Sequence, residues 1–482
     1  MYDIIIIGAG VIGGMIARQL SKYDLKICLV DKENDVARGA TAANSAIVHA
    51  GFDAKEGSMK AKMNVRGSEL MPEICNELGV PYQNNGSLVV AFAHERENLE
   101  ALYHRGLANG VRGLRLLERE ELFRMEPALN SDLDCALYAP TGAIVCPYGL
   151  TIAAVGNAMD NGTELKLNFE VTAITRNENS VTVTAADGRE VTARYMVNSA
   201  GLFADEIARL LGDDSFSIRP RRGEYMLLDK ECGHTTTCTI FHTPTPMGKG
   251  VLVSPTVHGN LIVGPTATDI DDKKDTTTTS EGFADIRAKA GDNVANLPYG
   301  KVITSFCGLR AVGSTGDFII KASDGIVTLG GIESPGLSSS PAIAEYVEEL
   351  LRSMGLSLVE KATYNPYRAP SDSFRQMSAS DKNDVIQKDP RYGRIVCRCE
   401  GITEGEIVAA IHQNPPAYDV DAVKRRTRSG MGRCQGGFCS PEVVRLLARE
   451  WNIPYDAVTK CGNGSYINKG RTKIAGGKKE GV

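Results

Sequence analysis

The chain has 482 residues, a length that predicts about two to four domains with room for a large core. Hydrophobic residues make up 42% of it and charged residues 23%, which is typical of a water-soluble globular protein. The formal net charge of −5 argues against a nucleic-acid-binding protein, although the stretch 424–428 is locally basic. The opening apolar run is too short for a signal peptide or a membrane span, so we expect a cytoplasmic protein with no transmembrane segment.

The first residues of the chain predict a dinucleotide-binding strand–turn–helix unit. An apolar run leads into Gly8-x-Gly10-x-x-Gly13 and then into a stretch with helical spacing. The first glycine of such a loop makes the tight turn, the second lets the backbone approach a pyrophosphate, and the third allows the helix to pack closely on the strand. A second apolar run ends in Asp31, at the distance where an acid accepts ribose hydroxyls. NAD and FAD are both possible occupants at this point.

A stretch rich in small and hydroxylated residues follows at 38–51. Such residues suit a backbone that passes close to a pyrophosphate or a flat flavin ring. His49 lies in this stretch and is a candidate contact to the flavin or the substrate and one of three candidate bases. The residues predicted to bind the cofactor in this part of the chain are Lys32, Thr41, Asn44 and Ser45.

Two later stretches are predicted to complete the cofactor site. Residues 195–205 repeat the strand, glycine turn and helix of the opening, and contribute Ala200 and Gly201. Residues 330–341 form a Gly/Ser-rich loop, and a helix is predicted over 342–354 with Ser340 as N-cap and Pro341 at its first position. A helix N-terminus opposite a flavin would stabilise negative charge on the reduced ring. The cofactor residues predicted in this loop are Gly331, Gly336, Leu337 and Ser338.

Residues 217–305 are rich in Thr, Val, Ile, Gly and Pro, a composition that predicts an antiparallel substrate domain. Two glycine-flanked stretches, 221–225 and 244–250, stand out within it. They supply Tyr225 as a candidate base and Arg222 and Lys249 as candidate helpers in binding an anion, and His242 is a further candidate base.

Four of the twelve cysteines are clustered, as Cys397-x-Cys399 and Cys434-x4-Cys439. In a reducing compartment, two close pairs of thiolates indicate a metal or an iron–sulfur cluster rather than disulfides. The CxC and CxxxxC spacings are unusual for zinc ribbons, which favour CxxC pairs, so we expect a cluster, with structural zinc as the alternative. Lys424, Arg425 and Arg428 are expected to add positive charge against this anionic site.

These motifs together resemble FAD-dependent dehydrogenases and oxidases of the glycerol-3-phosphate dehydrogenase, L-2-hydroxyglutarate oxidase and D-amino-acid oxidase superfamily, over about residues 1–350. The resemblance rests on the Gly8 loop and on the stretches 44–51, 198–201 and 308–310. Residues 397–450 resemble the 2Fe–2S domain of bacterioferritin-associated ferredoxin type.

The resemblance implies an α/β FAD-binding (Rossmann-like) domain, an interleaved α+β substrate domain and a small C-terminal helical iron–sulfur domain. The expected boundaries are 1–80, 141–210 and 305–364 for the FAD-binding domain and 81–140 and 211–304 for the substrate domain. A linker is expected over 365–392, the 2Fe–2S domain over 393–460 and a tail over 461–482.

The resemblance also implies a dehydrogenase that oxidises a small anionic CH–OH substrate, such as glycerol 3-phosphate or L-2-hydroxyglutarate. Hydride would pass to flavin N5, and electrons would leave through a 2Fe–2S cluster to an electron-accepting protein or second redox subunit. Arg310 would bind the anionic group over the flavin, because its planar fork pairs with carboxylate or phosphate. The alternatives are a CH–NH dehydrogenase of opine, proline or hydroxyproline type, and a non-catalytic electron-transfer subunit.

Two differences from the glycerol-3-phosphate branch favour a hydroxy acid over a phosphorylated substrate. Respiratory glycerol-3-phosphate dehydrogenases carry a GGKLTT-like loop where this chain has Gly-Gly-Ile-Glu-Ser-Pro at 330–335. That branch also tends to have a histidine in place of Tyr225.

Overall fold

The computed structural model describes residues 1–244, 250–370 and 373–470. The chain divides into two compact units, residues 1–371 and 372–482. The helices are α1 Val11–Leu20, α2 Met59–Glu77, α3 Arg96–Ala108, α4 Arg119–Met125, α5 Pro147–Asp160, α6 Ala204–Arg209, α7 Ser280–Asn293, α8 Gly336–Ser353, α9 Ser373–Gln376, α10 Ala379–Lys388, α11 Glu404–His412, α12 Val420–Thr427 and α13 Ser440–Glu450. In these ranges no helix is long and apolar enough to cross a membrane.

The strands belong to four sheets. They are β1 Tyr2–Ile7, β2 Ile27–Val30, β3 Ile47–Val48, β4 Tyr82–Gln83, β5 Ser87–Ala91, β6 Arg115–Glu118, β7 Cys135–Ala139, β8 Ala143–Val145, β9 Glu164–Lys166, β10 Val171–Asn177, β11 Ser180–Ala185, β12 Glu190–Asn198, β13 Ile218–Leu228, β14 Thr239–His242, β15 Leu252–Pro255, β16 Leu261–Gly264, β17 Thr268–Asp269, β18 Val302–Gly313, β19 Ile319–Ser323, β20 Ile326–Gly330, β21 Ile395–Cys397 and β22 Ile402–Thr403.

The first sheet of unit 1 carries the predicted dinucleotide fold. Its order is β10-β11-β12-β1-β2-β9, with β20 beside β12 and β19 beside β20. The neighbours of β1 are parallel to it, as are the pairs β2–β9 and β12–β20. Because β1 and β2 are buried on both faces, their apolar runs are continuous rather than alternating. Helices α1, α2, α5 and α8 pack together with this sheet around one hydrophobic core.

The second sheet of unit 1 is largely antiparallel and has the order β17-β13-β16-β15-β14-β5-β7-β6, with β18 also paired to β13. The long ladder between β13 and β18 runs from Ile218–Gly313 to Leu228–Val302. The strand β18 therefore lies in this sheet, although the expected boundaries placed its residues from 305 onward with the FAD-binding domain. Because β18 is continuous from 302 to 313, the sequence has no turn signal near 305. Composition alone therefore could not show that the second sheet extends to 313.

Helix α8 begins at Gly336, six residues before the predicted start at 342. The prediction used Pro341 as a first-turn residue, but Pro341 lies inside the helix. Proline cannot donate a hydrogen bond to the carbonyl of Leu337, and the Ser340 hydroxyl donates to that carbonyl instead, at 2.8 Å. The first turn of α8 also packs closely on α2, which favours the longer helix. A Cβ on Gly67 of α2 would lie 2.1 Å from the Ser338 carbonyl oxygen.

Unit 2 is a small helical domain with one two-stranded sheet, β21–β22. Its core is formed by apolar residues of α11, α12 and α13 together with Cys397 and Cys439. Part of the expected linker is ordered here as α9 and α10. Part of the expected tail is also ordered, because Thr459 and Tyr466 form an isolated β-bridge. Residues 471–482 lie outside the described ranges.

Candidate functional site

A cavity of about 880 Å³ runs between the ends of the first sheet and the second sheet of unit 1. This volume lies within the range of cofactor and ligand sites. Fourteen of the predicted site residues line it: Gly8, Gly10, Asp31, Lys32, Thr41, Asn44, Ser45, His49, Ala200, Gly201, Tyr225, Arg310, Gly336 and Leu337. Residues that are far apart in the chain therefore meet in a single space.

The glycine loop forms one end of this cavity. Gly8 has a φ of +104°, and a Cβ there would lie 2.5 Å from the Ser199 carbonyl oxygen. Gly13 does not line the cavity; a Cβ on it would lie 1.9 Å from the Gly8 carbonyl oxygen, so its role is the close strand–helix contact. The Thr41 hydroxyl accepts the backbone N–H of Val11 at 3.0 Å and so ties the second loop to the start of α1.

Asp31 lies at the end of β2 beside this loop. Its carboxylate accepts the N–H of Ala9 at 2.6 Å and the N–H of Glu33 at 2.9 Å. Burial raises the pKa of Asp31, and the two backbone hydrogen bonds oppose that shift. The ammonium of Lys32 lies over the ring of Phe203, 3.3 Å from the centroid. These contacts hold an acid and a cation at the cavity wall, which fits a ribose and a phosphate group.

Two predicted cofactor residues, Ser338 and Gly331, lie beside the cavity wall rather than on it. The fully buried Ser338 hydroxyl accepts the His49 backbone N–H at 2.7 Å, so Ser338 fixes the His49 backbone. Gly331 has a φ of +62° and packs its Cα against Gly313. Gly336 and Leu337, by contrast, bring the N-terminus of α8 to the cavity, where its N–H groups favour an anion.

The substrate end of the cavity is floored by the ladder between β13 and β18. Arg221 is the partner of Arg310, Gly223 of Gly308 and Tyr225 of Phe306. Side chains two residues apart share one face of a strand, so Arg221 and Tyr225 face the same side. The side chain of Arg222 lies on the opposite face, where it contacts Asp275 at 3.2 Å, and it does not line the cavity.

Among the described residues, Arg310 is held by one hydrogen bond, from Nη2 to the Thr266 carbonyl oxygen at 2.7 Å. Arg221 is held by both oxygens of Asp269, with Nε–Oδ1 at 2.6 Å and Nη2–Oδ2 at 3.1 Å. The Arg221 side chain lowers the pKa of Asp269 through this pair, against a small opposing effect of burial. Lys274 also lines the cavity. This end of the cavity therefore presents several cations, which suits an anionic substrate.

The other two candidate bases, Tyr225 and His242, are less suited than His49 to accept a proton in the cavity. Burial raises the pKa of Tyr225, and its hydroxyl lies 3.1 Å from the Ser45 hydroxyl. His242 does not line the cavity, because Phe241 before it in the strand occupies the cavity face. Its ring nitrogens contact Asn293 Oδ1 at 2.8 Å and Glu95 Oε2 at 2.9 Å. His242 is thus a half-buried residue that connects two elements rather than a base at this site.

His49 lines the cavity and is fixed through its backbone. Its carbonyl accepts Asn64 Nδ2 at 2.5 Å, and its ring Nε2 lies 3.4 Å from the Ser334 hydroxyl. Lys249, the remaining predicted helper, lies outside the described residues. Sequence reasoning missed Arg221, Lys274 and the cavity-lining ion pair of Lys60 with Glu333 at 2.6 Å. The alternation of β13 could have identified Arg221, since it shares a face with Tyr225.

The clustered cysteines of unit 2 form two pairs. Cys399 Sγ lies 3.6 Å from Cys434 Sγ, on the exposed side, and the buried thiols of Cys397 and Cys439 hydrogen-bond to each other. Among the described residues, no three His, Cys, Asp or Glu side chains converge on a single point. Two separate thiol pairs fit a cluster with two iron atoms, each iron taking two cysteines.

Backbone N–H groups are directed at these sulfurs. The hydrogen bond from Cys439 lowers the pKa of Cys397, assisted by the N–H groups of Gly430 and Glu400 and opposed by burial. Burial opposes ionisation of Cys434 as well, but the Cys399 thiol and the N–H groups of the 436–438 turn lower its pKa. N–H groups that stabilise thiolates also stabilise the sulfurs of an iron–sulfur cluster.

The expected positive charge beside this site is partly neutralised. Arg428 Nε contacts Glu400 Oε2 at 2.9 Å, and both side chains are buried. Lys424 is half-buried, and its partial desolvation lowers its pKa. The basic stretch therefore supports the loop between the two cysteine pairs rather than presenting a row of cations to the cluster.

Comparisons with known proteins agree with both halves of this description. The FAD dependent oxidoreductase family matches residues 3–350, and the BFD-like [2Fe-2S] binding domain matches residues 395–449. The chain belongs to the FAD-dependent oxidoreductase family. It is a FAD-dependent enzyme with a 2Fe–2S domain, which confirms the predicted fold class and both cofactors against NAD and zinc.

Three relatives are informative. A glycerol 3-phosphate dehydrogenase from Caloramator mitchellensis is 48% identical over 98% of this chain and 99% of its own length. A FAD-bound L-α-glycerophosphate oxidase from Mycoplasma pneumoniae superposes with a TM-score of 0.73 at 32% identity, covering 76% of this chain and 98% of that one. Human L-2-hydroxyglutarate dehydrogenase is 32% identical over 55% of this chain and 61% of its own length.

Proposed function

We propose that this protein is a dehydrogenase that oxidises glycerol 3-phosphate at its secondary hydroxyl and passes the electrons through its iron–sulfur domain to a partner protein. The single observation that carries the substrate is the similarity to a glycerol 3-phosphate dehydrogenase along practically the whole chain, iron–sulfur domain included. The cationic end of the cavity supports it, because a phosphate dianion needs more than one positive charge.

Arg310 is proposed to bind the phosphate. Its bond to the Thr266 carbonyl uses one N–H of Nη2, and a guanidinium has five N–H donors in a fixed fork. Arg221, opposite Arg310 in the ladder, adds a second positive charge whose position is fixed by Asp269. Lys249 stays a proposed helper on sequence grounds alone, whereas Arg222 is withdrawn because it faces away from the cavity.

His49 is proposed as the general base. It would accept the proton of the substrate hydroxyl while the C–H bond breaks and its electron pair leaves as hydride. The raised pKa of Tyr225 keeps its phenol protonated, so Tyr225 is proposed to donate a hydrogen bond rather than accept a proton. FAD, when bound, supplies the hydride acceptor, and the 2Fe–2S cluster supplies a one-electron carrier.

The cofactors are proposed to be held by the residues that line or support each site. For FAD these are the glycine loop with Asp31, the loop from Thr41 to Ser45, the turn at Ala200 and Gly201, and the N-terminus of α8. For the cluster they are Cys397, Cys399, Cys434 and Cys439. All twelve cysteines are free of disulfides, which is consistent with the proposed cytoplasmic location.

A second candidate substrate is a 2-hydroxy acid such as L-2-hydroxyglutarate. Two observations favour it: the similarity to L-2-hydroxyglutarate dehydrogenases, and the sequence of the 330–335 loop, whose Glu333 and Ser334 line the cavity. The human enzyme is 32% identical over 55% of this chain, against 48% over 98% for the glycerol 3-phosphate dehydrogenase, which ranks the hydroxy acid second. Structural similarity to amine-oxidising enzymes such as L-proline dehydrogenase is at 22% identity and reflects the fold alone.

The test is anaerobic reduction of the bound flavin, which is monitored as the loss of its visible absorbance. Purified full-length protein would be mixed with glycerol 3-phosphate, L-2-hydroxyglutarate or L-proline, and iron and sulfide would be measured on the same sample. We expect fast bleaching by glycerol 3-phosphate at concentrations where the other two compounds are slow. Faster bleaching by L-2-hydroxyglutarate would overturn the proposed substrate, and faster bleaching by L-proline would overturn CH–OH oxidation.

A further inference from the structure

The hydroxyl of Ser429 is a buried polar group that makes no hydrogen bond of ordinary geometry with a described residue. Ser429 is 4% exposed and follows α12 in the segment that leads to Cys434. Buried hydroxyls are nearly always paired, because an unpaired one keeps the cost of losing its water. An unpaired hydroxyl at this place therefore indicates an acceptor that takes its full hydrogen-bonding form only when a group is bound.

The neighbours of Ser429 show where that acceptor lies. The Ser429 side chain lies against the thiol of Cys439, and the backbone N–H of Gly430 is directed at Cys397. Two consecutive residues, Ser429 and Gly430, thus contact the two buried cysteines. The acceptor best placed for the Ser429 hydroxyl is the sulfur of Cys439.

The segment that carries this hydroxyl is held in position independently. The Ser429 N–H donates to the Thr427 hydroxyl at 3.1 Å, and Arg428 has a φ of +71° at the end of α12. The buried pair of Arg428 with Glu400 joins the segment to the residue after Cys399. These contacts hold the backbone of Ser429 in place beside Cys439.

We propose that the Ser429 hydroxyl donates a hydrogen bond to the Cys439 thiolate when the 2Fe–2S cluster is bound, and that this bond raises the reduction potential of the cluster. Adding one electron makes the cluster more negative, and a donor at a ligand sulfur stabilises the more negative form. Ser429 is therefore a tuning residue that acts through a ligand. The inference rests on the proposed assignment of Cys439 as a ligand.

The test is a potentiometric titration of the cluster in the full-length holoenzyme, read from its visible absorbance or its electron paramagnetic resonance signal. Ser429→Ala is expected to lower the equilibrium constant for cluster reduction about tenfold, which is about 59 mV for a one-electron couple. Ser429→Thr keeps the hydroxyl and is expected to stay close to the wild-type potential. Ser380→Ala, which removes an exposed hydroxyl from the same unit, is the matched control and is expected to change nothing.

The outcomes distinguish the proposed tuning by Ser429 from the proposed assignment of Cys439 as a ligand. An unchanged potential in a Ser429→Ala protein with full iron and sulfide would overturn the inference and leave the ligand assignment intact. Full iron and sulfide in Cys439→Ser would instead overturn the assignment. If the Ser429→Ala protein loses its cluster, the titration is done on Ser429→Cys instead, because a thiol is a weak donor of similar size. Cluster loss in both variants would also overturn the inference, since Ser429 would then be needed for binding rather than for tuning.

Discussion

Arg221 and Arg310 are directly opposite each other in the ladder between β13 and β18. Two guanidinium groups side by side repel each other, and Asp269 offsets this by pairing with Arg221 through two contacts. Arg310 has no ion pair with any described carboxylate, and its one bond from Nη2 goes to a backbone carbonyl. Asp269 therefore pairs with Arg221, and an anionic substrate would pair with Arg310.

The first prediction concerns this arginine. Arg310→Ala is expected to lower kcat/KM for glycerol 3-phosphate by roughly 10²-fold, since a hydrogen bond to a charged group is worth about 1.5–3 kcal/mol. Arg222→Ala is the control on the same ladder, and kcat/KM is expected to stay within about twofold because Arg222 faces away. Anaerobic flavin reduction measures both variants. Equal losses in the two would show that the effect is one of folding.

The second prediction separates the two histidines. His49→Gln is expected to lower kcat by about 10²–10⁴-fold and to remove the acidic limb of the pH–rate profile, since the general base is lost. His242→Gln is expected to keep kcat, although its melting temperature should fall because the ring bridges Glu95 and Asn293. An unchanged acidic limb in His49→Gln would assign the base elsewhere.

The third prediction uses the raised pKa of Tyr225. A phenol whose pKa lies above its ordinary value stays protonated through neutral and mildly alkaline pH, so it contributes no ionisation to the working range. Tyr225→Phe is therefore expected to lower activity modestly, through the lost hydroxyl contact with Ser45, and to leave the apparent pKa values of the profile unchanged. A shifted basic limb would contradict this role.

The fourth prediction tests the glycine loop. Gly13→Ala places a methyl group against the Gly8 carbonyl and is expected to destabilise the protein by about 1–3 kcal/mol and to lower its FAD content. Gly291→Ala in α7 meets no atom within 4 Å and is expected to be neutral or to stabilise by about 0.5–1 kcal/mol. Thermal unfolding and the flavin absorbance of purified protein measure both effects.

The fifth prediction concerns the cysteine pairs. Cys399→Ser is expected to lose iron and sulfide while keeping FAD and its reduction by substrate, because the two cofactor sites are formed by different stretches of the chain. Cys461→Ser is the control, since this half-buried cysteine lies in the same unit outside the two pairs. Reduction of a one-electron acceptor should be slowed in the first variant only. Full iron in Cys399→Ser would remove Cys399 from the proposed ligand set.

Local chemistry in the sequence was enough to predict the cofactors and fourteen of the residues that line the cavity. The glycine loop, Asp31 and the 41–45 stretch are short-range motifs whose spacing follows from the shape of a dinucleotide, and all of them meet in the cavity. The choice of Arg222 over Arg221 failed because it ignored strand alternation. The choice of His242 failed for the same reason, since the face of β14 is set by its pairing with β5 and β15.

Other features depend on contacts that composition does not carry. The early start of α8 follows from its packing against Gly67 and from the Ser340 hydroxyl that replaces a missing donor. The extent of β18 follows from its pairing with β13. The pairing of Arg428 with Glu400 joins residues that are far apart in sequence, so charge counting predicted a cation where the structure has an ion pair.

Gly308 joins the two halves of unit 1 at one point. A Cβ there would lie 1.9 Å from the Ala43 carbonyl oxygen, so the loop proposed to hold the flavin rests on the backbone of the strand that carries Arg310. Main chain touches main chain at this seam, and no side chain intervenes whose rotation could absorb a change. The distance between the loop proposed to hold the flavin and the strand that carries Arg310 is therefore set by backbone geometry. A larger residue at 308 would therefore disturb this loop and the strand of Arg310 at once.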